Sequence, residues 1–392
     1  MSFNLKGPKA LGLILACSIL AYSWVGFAQK PEASVQILTE PSLERVSPLE
    51  AEATEYLGSG KYRPPVRLRL QAKDSAGAPL KDAQFNLKLL APSPTPWFTT
   101  DFPIVEGTTL VEMTGNAPTG QFSMEQVFPI RGNYQLQVNV EPLVAGAFAP
   151  IHETLNLQVP ENPLKLIYFP ILLVILLAIG LGGGWIIGGR QVRETGEIAP
   201  RRVRLLLSSV TAVAIAALFF FNVGAELAEA HSNMPESPIM DHSGLIQSQG
   251  LQLELTGDDR TTVGQMAGLK VQLTDVQTNQ PVSDVQFEIH STQIEKNWVA
   301  FGYQGVPNSM GVFAWKEQFF DGAPHKIEVN VTPSPTGNRQ FTPFQVTRQI
   351  EVEGIAPPMS VRLIGLSYFT IVLSIGVFLG IWIQRRRLSQ VL

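Results

Sequence analysis

Three stretches of this chain, Leu166–Ile187, Leu205–Ala225 and Leu363–Ile383, run the length of a bilayer without one Lys, Arg, Asp or Glu. A hydrocarbon core offers the backbone no hydrogen-bond partner, so an apolar run of about 20 residues there must satisfy itself as a helix. The whole chain is depleted in charge to match: 16 % of its residues are charged, against about 25 % in an ordinary globular protein. Cys17 is the single cysteine of 392 residues. That excludes an intrachain disulfide and a cysteine-built zinc site. A net charge of −4 speaks against a nucleic-acid partner.

The first 28 residues read as a secretory signal. Lys6 and Lys9 form a basic start, an apolar run follows, and Gly26 and Ala28 offer small residues for cleavage before Gln29. An uncleaved anchor is the rival reading, because Trp24 and Phe27 prolong the run; a lipid-modified Cys17 is a weaker one, because the residues after it are apolar rather than a polar tether. Arginines set the orientation. The connector between the first two spans carries Arg190, Arg193, Arg201, Arg202 and Arg204, and the tail carries Arg385, Arg386 and Arg387. Both belong on the cytoplasmic side. The expected organisation is therefore a signal at 1–28, an outer domain at 29–163, a span at 164–189, a cytoplasmic connector at 190–204, a span at 205–226, a second outer domain at 227–360, a span at 361–384 and a cytoplasmic tail at 385–392. The implied location is the inner (plasma) membrane of a bacterium, with both large domains extracytoplasmic. The connector and the tail each carry +3 and the basic start +2, which leaves −12 on the rest of a chain of net charge −4. Such outer domains repel anionic headgroups and suit cationic partners. Gly180, Gly184 and Gly188 recur every fourth residue in the first span, a stripe against which another helix can pack closely. This stripe is the expected route to a membrane-protein partner or to self-association, the lipid bilayer being the other partner.

The two outer domains repeat one another. Pro79-Leu80-Lys81-Asp82-Ala83-Gln84-Phe85 matches Pro281-Val282-Ser283-Asp284-Val285-Gln286-Phe287, and Val138-Asn139-Val140-Glu141-Pro142 matches Val329-Asn330-Val331-Thr332-Pro333. The first copy holds about eleven extra residues between these blocks, assigned to an exposed loop at Pro92–Pro103. Within each copy apolar and polar residues alternate in short runs, as at Val66, Leu68 and Leu70, or Ile327, Val329 and Val331, with turn residues between them. Period two in about seven such runs predicts an all-β fold class, two tandem immunoglobulin-like β-sandwiches, joined to transmembrane α-helices. Phe85, Phe122 and Tyr134 are the expected core aromatics of one domain, and Phe287, Phe313 and Trp315 those of the other. The tract Gly132-Asn133-Tyr134-Gln135-Leu136-Gln137-Val138, after Gly120-Gln121-Phe122, resembles the closing strands of YtkA-like and FixH-like extracytoplasmic domains. In the second copy Pro324 or His325 takes the tyrosine position. The resemblance implies company with membrane metal handling and respiratory-complex assembly, and it transfers no functional residue.

The five histidines are not shared between the copies: Lys88 stands where His290 stands, and Gln345 where His152 stands. His290 and His325 read as surface or strand histidines. One cluster differs. His231, Met234, Met240 and His242 lie within twelve residues, bracketing Pro235 and Pro238. Thioether sulfur is a soft ligand that selects Cu(I), and imidazole accepts copper. These four are the candidate metal ligands, copper the candidate cofactor, and a polar linker the alternative. No catalytic motif of nucleophile, metalloprotease or phosphate-loop type is present. The chain thus reads as non-enzymatic, either an accessory for copper handling or membrane metalloenzyme assembly, or a metal-independent interaction scaffold.

Overall fold

The computed structural model of the chain describes residues 33–46, 48–49, 65–95, 100, 102–189, 200–208, 244–335, 337 and 339–389. The expected signal, most of the second span and the His231–His242 segment lie outside them. The first half contributes seven strands: β1 (Ser34–Glu40), β2 (Val66–Lys73), β3 (Ala83–Leu90), β4 (Thr109–Ala117), β5 (Gln121–Gln126), β6 (Gly132–Pro142) and β7 (Ile151–Val159). The helix α1 (Pro163–Gly188) follows. The second half contributes β8 (Leu245–Ser248), β9 (Leu251–Gly257), β10 (Arg260–Thr262), β11 (Met266–Asp275), β12 (Val285–Gln293), β13 (Trp298–Gly305), β14 (Val312–Gln318), β15 (His325–Pro333) and β16 (Phe344–Glu353), then α2 (Met359–Ser389).

The fold is all-β with apolar helices, and each half is an immunoglobulin-like sandwich. The strands are nevertheless shared between only two sheets of eight, ordered β1-β2-β5-β13-β12-β15-β16-β10 and β7-β6-β3-β4-β14-β11-β9-β8. The two sandwiches have merged edge to edge. Exchanging the halves maps the β5·β13 contact onto β14·β4, so the body has a pseudo-two-fold axis through its middle.

Strand alternation builds the core. β3 and β12 bury every second residue, and Phe85 and Phe287 are both fully buried. Each stands opposite a glycine on one neighbouring strand (Gly115, Gly305) and a valine on the other (Val140, Val331). Both strands break register at nearly the same place, between Leu89 and Leu90 and between Ser291 and Thr292. An inserted residue of this kind bends a strand and raises its twist. The same tight turn recurs too. Gly120 and Gly311 have φ of 75° and 67°, and a Cβ on either would collide with backbone, at Leu80 and at Leu273 respectively. Only glycine fits that combination of positive φ and close approach.

In the first half Tyr134 Oη donates to Ile130 O at 2.6 Å and accepts from Ile130 N at 3.0 Å, a tyrosine corner. In the second half His325 holds the place, with Nδ1 2.8 Å from Ala323 O. Both rings lie against a phenylalanine, Phe128 at 4.8 Å and Phe319 at 4.5 Å. His325 is therefore a strand histidine but a buried one, 1 % exposed.

The extra residues of the first half do not form a simply exposed loop, as their proline content suggested. Ser93–Thr95 are exposed, but Pro92 is buried and Phe102 stacks edge-on against Phe320 of the second half at 5.8 Å. Apolar side chains within the tract carry it back onto the neighbouring core, where burial outweighs loop solvation.

Two described helices are long and apolar enough to cross a membrane, Lys165–Gly188 and Met359–Ser389. The second continues past Arg385–Arg387, which the sequence assigns to a separate tail. Residues 201–208 are helical as well, so Arg201, Arg202 and Arg204 lie in a helix. The glycine stripe of α1 faces α2 of the same chain. A Cβ at Gly180 would strike Leu373 O, and one at Gly184 would strike Val377 O; reciprocally, one at Gly376 would strike Leu177 O and one at Gly380 Leu181 O. The contacts are symmetric, glycine for glycine, and let two backbones touch as small-residue stripes do in membranes. Gly376 and Gly380 have the same spacing as the first stripe and are legible by it.

Two outcomes follow. Phe85→Ala and Phe287→Ala should each cost about 3–5 kcal/mol, the range for a buried aromatic, in denaturant titrations; a surface-like loss at either site contradicts the equivalence. Gly376→Leu should abolish cross-linking between cysteines placed on α1 and α2, and retained cross-linking would mean that the helices meet elsewhere.

Candidate functional site

Among the described residues, the seam between the halves is where chemistry from both comes together. β5 and β13 pair through Gln126↔Phe301, Glu125↔Gly302, Met124↔Tyr303 and Ser123↔Gln304. β4 and β14 pair through Thr114↔Ala314, Met113↔Trp315, Glu112↔Lys316 and Val111↔Glu317. Between these ladders an aromatic file crosses from one core to the other. Phe85 stacks on Phe122 at 5.5 Å, Phe122 meets Tyr303 at 5.3 Å, Tyr303 lies flat on Phe313 at 4.1 Å, and Phe313 leads to Trp315 at 5.5 Å. Gly115 makes room for this file, since a Cβ there would stand 2.8 Å from Tyr303 Oη and closer still to the Phe122 ring.

The seam also buries polar groups. Gln126, Ser291 and Glu317 are each at most 2 % exposed. Gln126 Oε1, Ser291 Oγ, Tyr303 Oη, Trp315 Nε1 and Glu317 Oε2 have no hydrogen-bond partner. Burial pushes the Glu317 carboxyl up to about 8, opposed by weak hydrogen bonding from Ser291 and Trp315, which stand near it without reaching good hydrogen-bond geometry. Burial likewise holds the His325 imidazole down to about 4, so it is neutral and unavailable to exposed ligands.

On the outer face of the first sheet a second group forms across the seam. Arg67 grips Glu125 Oε1 with Nε and Nη2 at 2.9 and 2.7 Å. Glu125 Oε2 and His290 Nδ1 converge over Gly302, each 3.4 Å from where its Cβ would sit. His290 Nε2 lies 3.4 Å from Glu288 Oε1. On the outer face of the second sheet a shallow depression over Gly257 and Gly268 is lined by Glu112, Thr114, Lys270 and Lys316. These faces mix both signs of charge and suit a polar protein surface more than a small apolar ligand.

Of the candidate metal ligands, His231, Met234, Met240 and His242 lie outside the described residues. Among the described residues no group of three His, Cys, Asp or Glu is placed to hold a metal ion. His152 bonds Asn139 Oδ1 through Nδ1 at 2.9 Å. Asp284 accepts from Arg339 Nε at 3.0 Å, and the same guanidinium reaches Asp275 at 3.3 Å. Sequence reasoning did not anticipate Glu317, although an acid at an inward position of Phe313-x-Trp315-x-Glu317 is the available signal.

No family model matches the chain, and no curated protein matches it. Solved structures similar to it include a copper-bound variant of FetP from uropathogenic Escherichia coli strain F11, at 12 % identity over 28 % of this chain and 94 % of that one, TM-score 0.21. The CARDB domain of a Pyrococcus furiosus protein, in complex with di-metal ions, is similar at 12 % identity over 29 % and 97 %, TM-score 0.21. Invasin, a bacterial integrin-binding protein, is similar at 9 % identity over 81 % and 39 %, TM-score 0.19.

Gly115→Ala tests the seam's packing. The added methyl must displace Phe122 or Tyr303, at about 1–3 kcal/mol for overpacking. A single unfolding transition shifted to lower temperature is expected. A split into two transitions would mean that the halves unfold independently.

Proposed function

We propose that this chain is a non-enzymatic bacterial membrane protein that works as an interaction scaffold, holding a duplicated pair of extracytoplasmic sandwiches as one body above the plasma membrane. The observation that carries the reading is the seam. Two ladders and a shared aromatic core fuse the halves, and each half ends in an apolar helix that clasps the other. A body built this way presents outer faces that cross both halves in a fixed relation, which suits a partner that contacts both. The positive-inside arrangement of Arg201, Arg202, Arg204 and Arg385–Arg387 supports the orientation. The tract around Tyr134, similar to YtkA-like and FixH-like domains, supports a place beside other membrane complexes.

A second reading rests on the His231–His242 segment. There His231, Met234, Met240 and His242 would bind Cu(I) in preference to zinc, because zinc gains little from thioether. Binding would weaken as pH falls through about 6.5, where imidazole protonates.

The readings separate in one experiment. Full-length protein is purified with its associated membrane partner, with and without a Cu(I) chelator, as wild type and as Met234→Leu/Met240→Leu. A scaffold keeps its partner in all cases. Loss of the partner in the chelated and doubly substituted samples would replace the scaffold by a copper accessory. Reporters inserted at Gly77 and after Arg387 should read as exported and cytoplasmic; the reverse at either site would overturn the orientation.

A further inference from the structure

Glu317 is an acid in a place that its symmetry mate fills with an amide. Through the second sheet the inward row is Leu136, Leu89, Val111, Glu317 and Ala267. Through the first sheet the corresponding row is Ile327, Ser291, Phe301, Gln126 and Val66. Exchange of the halves carries Glu317 onto Gln126 and Leu89 onto Ser291. Gln126 is partly satisfied, since Nε2 donates to Val127 O at 2.9 Å. Glu317 Oε2 meets no partner in good hydrogen-bond geometry, and neither do Ser291 Oγ and Trp315 Nε1, although these two neutral donors stand near enough to favour its carboxylate form. Among the described residues nothing cationic compensates it. Lys316 on the same strand, Glu112 of β4 and Lys270 of β11 are exposed on the opposite face. Across the sandwich β12 offers Ser291, and Gln293 is held by Lys296 N and Asp321. His325 of β15 is engaged by Ala323 O.

We propose that Glu317 is an acid-held latch on the seam: its carboxyl stays protonated while β4 and β14 are joined, and its ionisation opens that ladder. A carboxylate in an apolar interior with no cation beside it, and only the neutral Ser291 and Trp315 near it, costs too much to persist. It can relieve the cost by reaching water, and the neighbouring ladders decide where. Glu317 holds the terminal pair of the four that join β14 to β4, whereas seven join β14 to β11. The shorter contact is the one expected to give way, and the bond from Thr108 Oγ1 to Gln318 Oε1 at 2.9 Å, just beyond the Glu317 pair, must part with it. The raised ionisation range agrees with this geometry, about 8 in the fold against an ordinary 4.5. The sign follows from linkage. A carboxyl raised on folding contributes its full stability below the unfolded value, and that contribution is lost as pH rises toward the folded value. Acid therefore tightens the seam and mild alkali loosens it. His325 acts in the opposite sense at lower pH and is common to wild type and variant, so their difference isolates Glu317. The proposal rests on the seam and not on the scaffold reading.

The test is amide hydrogen exchange of the full chain in lipid nanodiscs, corrected for intrinsic rates, for wild type and Glu317→Gln. The opening constant for those amides of residues 111–114 and 314–317 that point across the β4–β14 ladder, taken relative to the variant, should rise about tenfold per pH unit between about 4.5 and about 8 and level off above. Equal pH dependence in the two proteins would overturn the latch. Should Glu317→Gln fail to fold, wild type alone still decides: the infrared carbonyl band of a protonated buried acid should be present at about pH 7 and convert to carboxylate above about pH 8. Its absence at about pH 7 would equally overturn the proposal.

Discussion

Backbone hydrogen bonding across the seam is the constraint on which the rest of this molecule depends. The first half alone has a four-stranded and a three-stranded sheet, and β4 and β5 end them on the same side. Left alone, both strands present unpaired N–H and C=O groups along exposed edges, a standing invitation to wrong partners. Pairing β4 with β14 and β5 with β13 removes four such edges at once. It also lets Tyr303 and Phe313 close the space between the sheets, so that the two cores become one. The remaining edges are β1 and β10 of one sheet and β7 and β8 of the other; β10 has three residues and β8 four, short enough to offer little template.

The helices repeat the solution in a different solvent. Between α1 and α2 there is no hydrophobic gain from lipid to protein, so close backbone contact must do the work. Four glycines, two from each helix, provide it in a symmetric pair. The helix pair thus follows the same exchange of halves as the body, and the two sandwiches are joined rather than carried as separate domains. Such a unit is preorganised, which reduces the ordering cost of any interface built on both halves.

Much of this was legible in the residues. Alternation located the strands, including Phe85 and Phe287 as equivalent core positions, and the charge-free runs located the described helices. The spacing of Gly180, Gly184 and Gly188 foretold a packed helix face, though not that the partner is α2. The seam itself has no local signature. An inward-facing residue on β4 or β5 alternates identically whether the strand is an edge or is paired, so Met113 and Met124 look alike in either case. Pro92–Pro103 misled because prolines there outnumber the few apolar residues, and Phe102 alone is enough to fix its end of the tract against Phe320. Glu317 was missed because a carboxylate is ordinarily solvated, and only the three-dimensional row shows it enclosed.

The central claim is that the two halves are one body joined in this register. Thr114 and Ala314 stand directly opposite across the seam and both are exposed. Thr114→Cys/Ala314→Cys, made in a chain whose other cysteine, Cys17, is replaced by serine, measures it most directly. Mild oxidation of the membrane-embedded protein should give a disulfide within one chain, while cysteines at Thr114 and Lys316, offset by two residues, should not join. Free thiols in the first pair, or covalent dimers in place of the intrachain link, would contradict the seam.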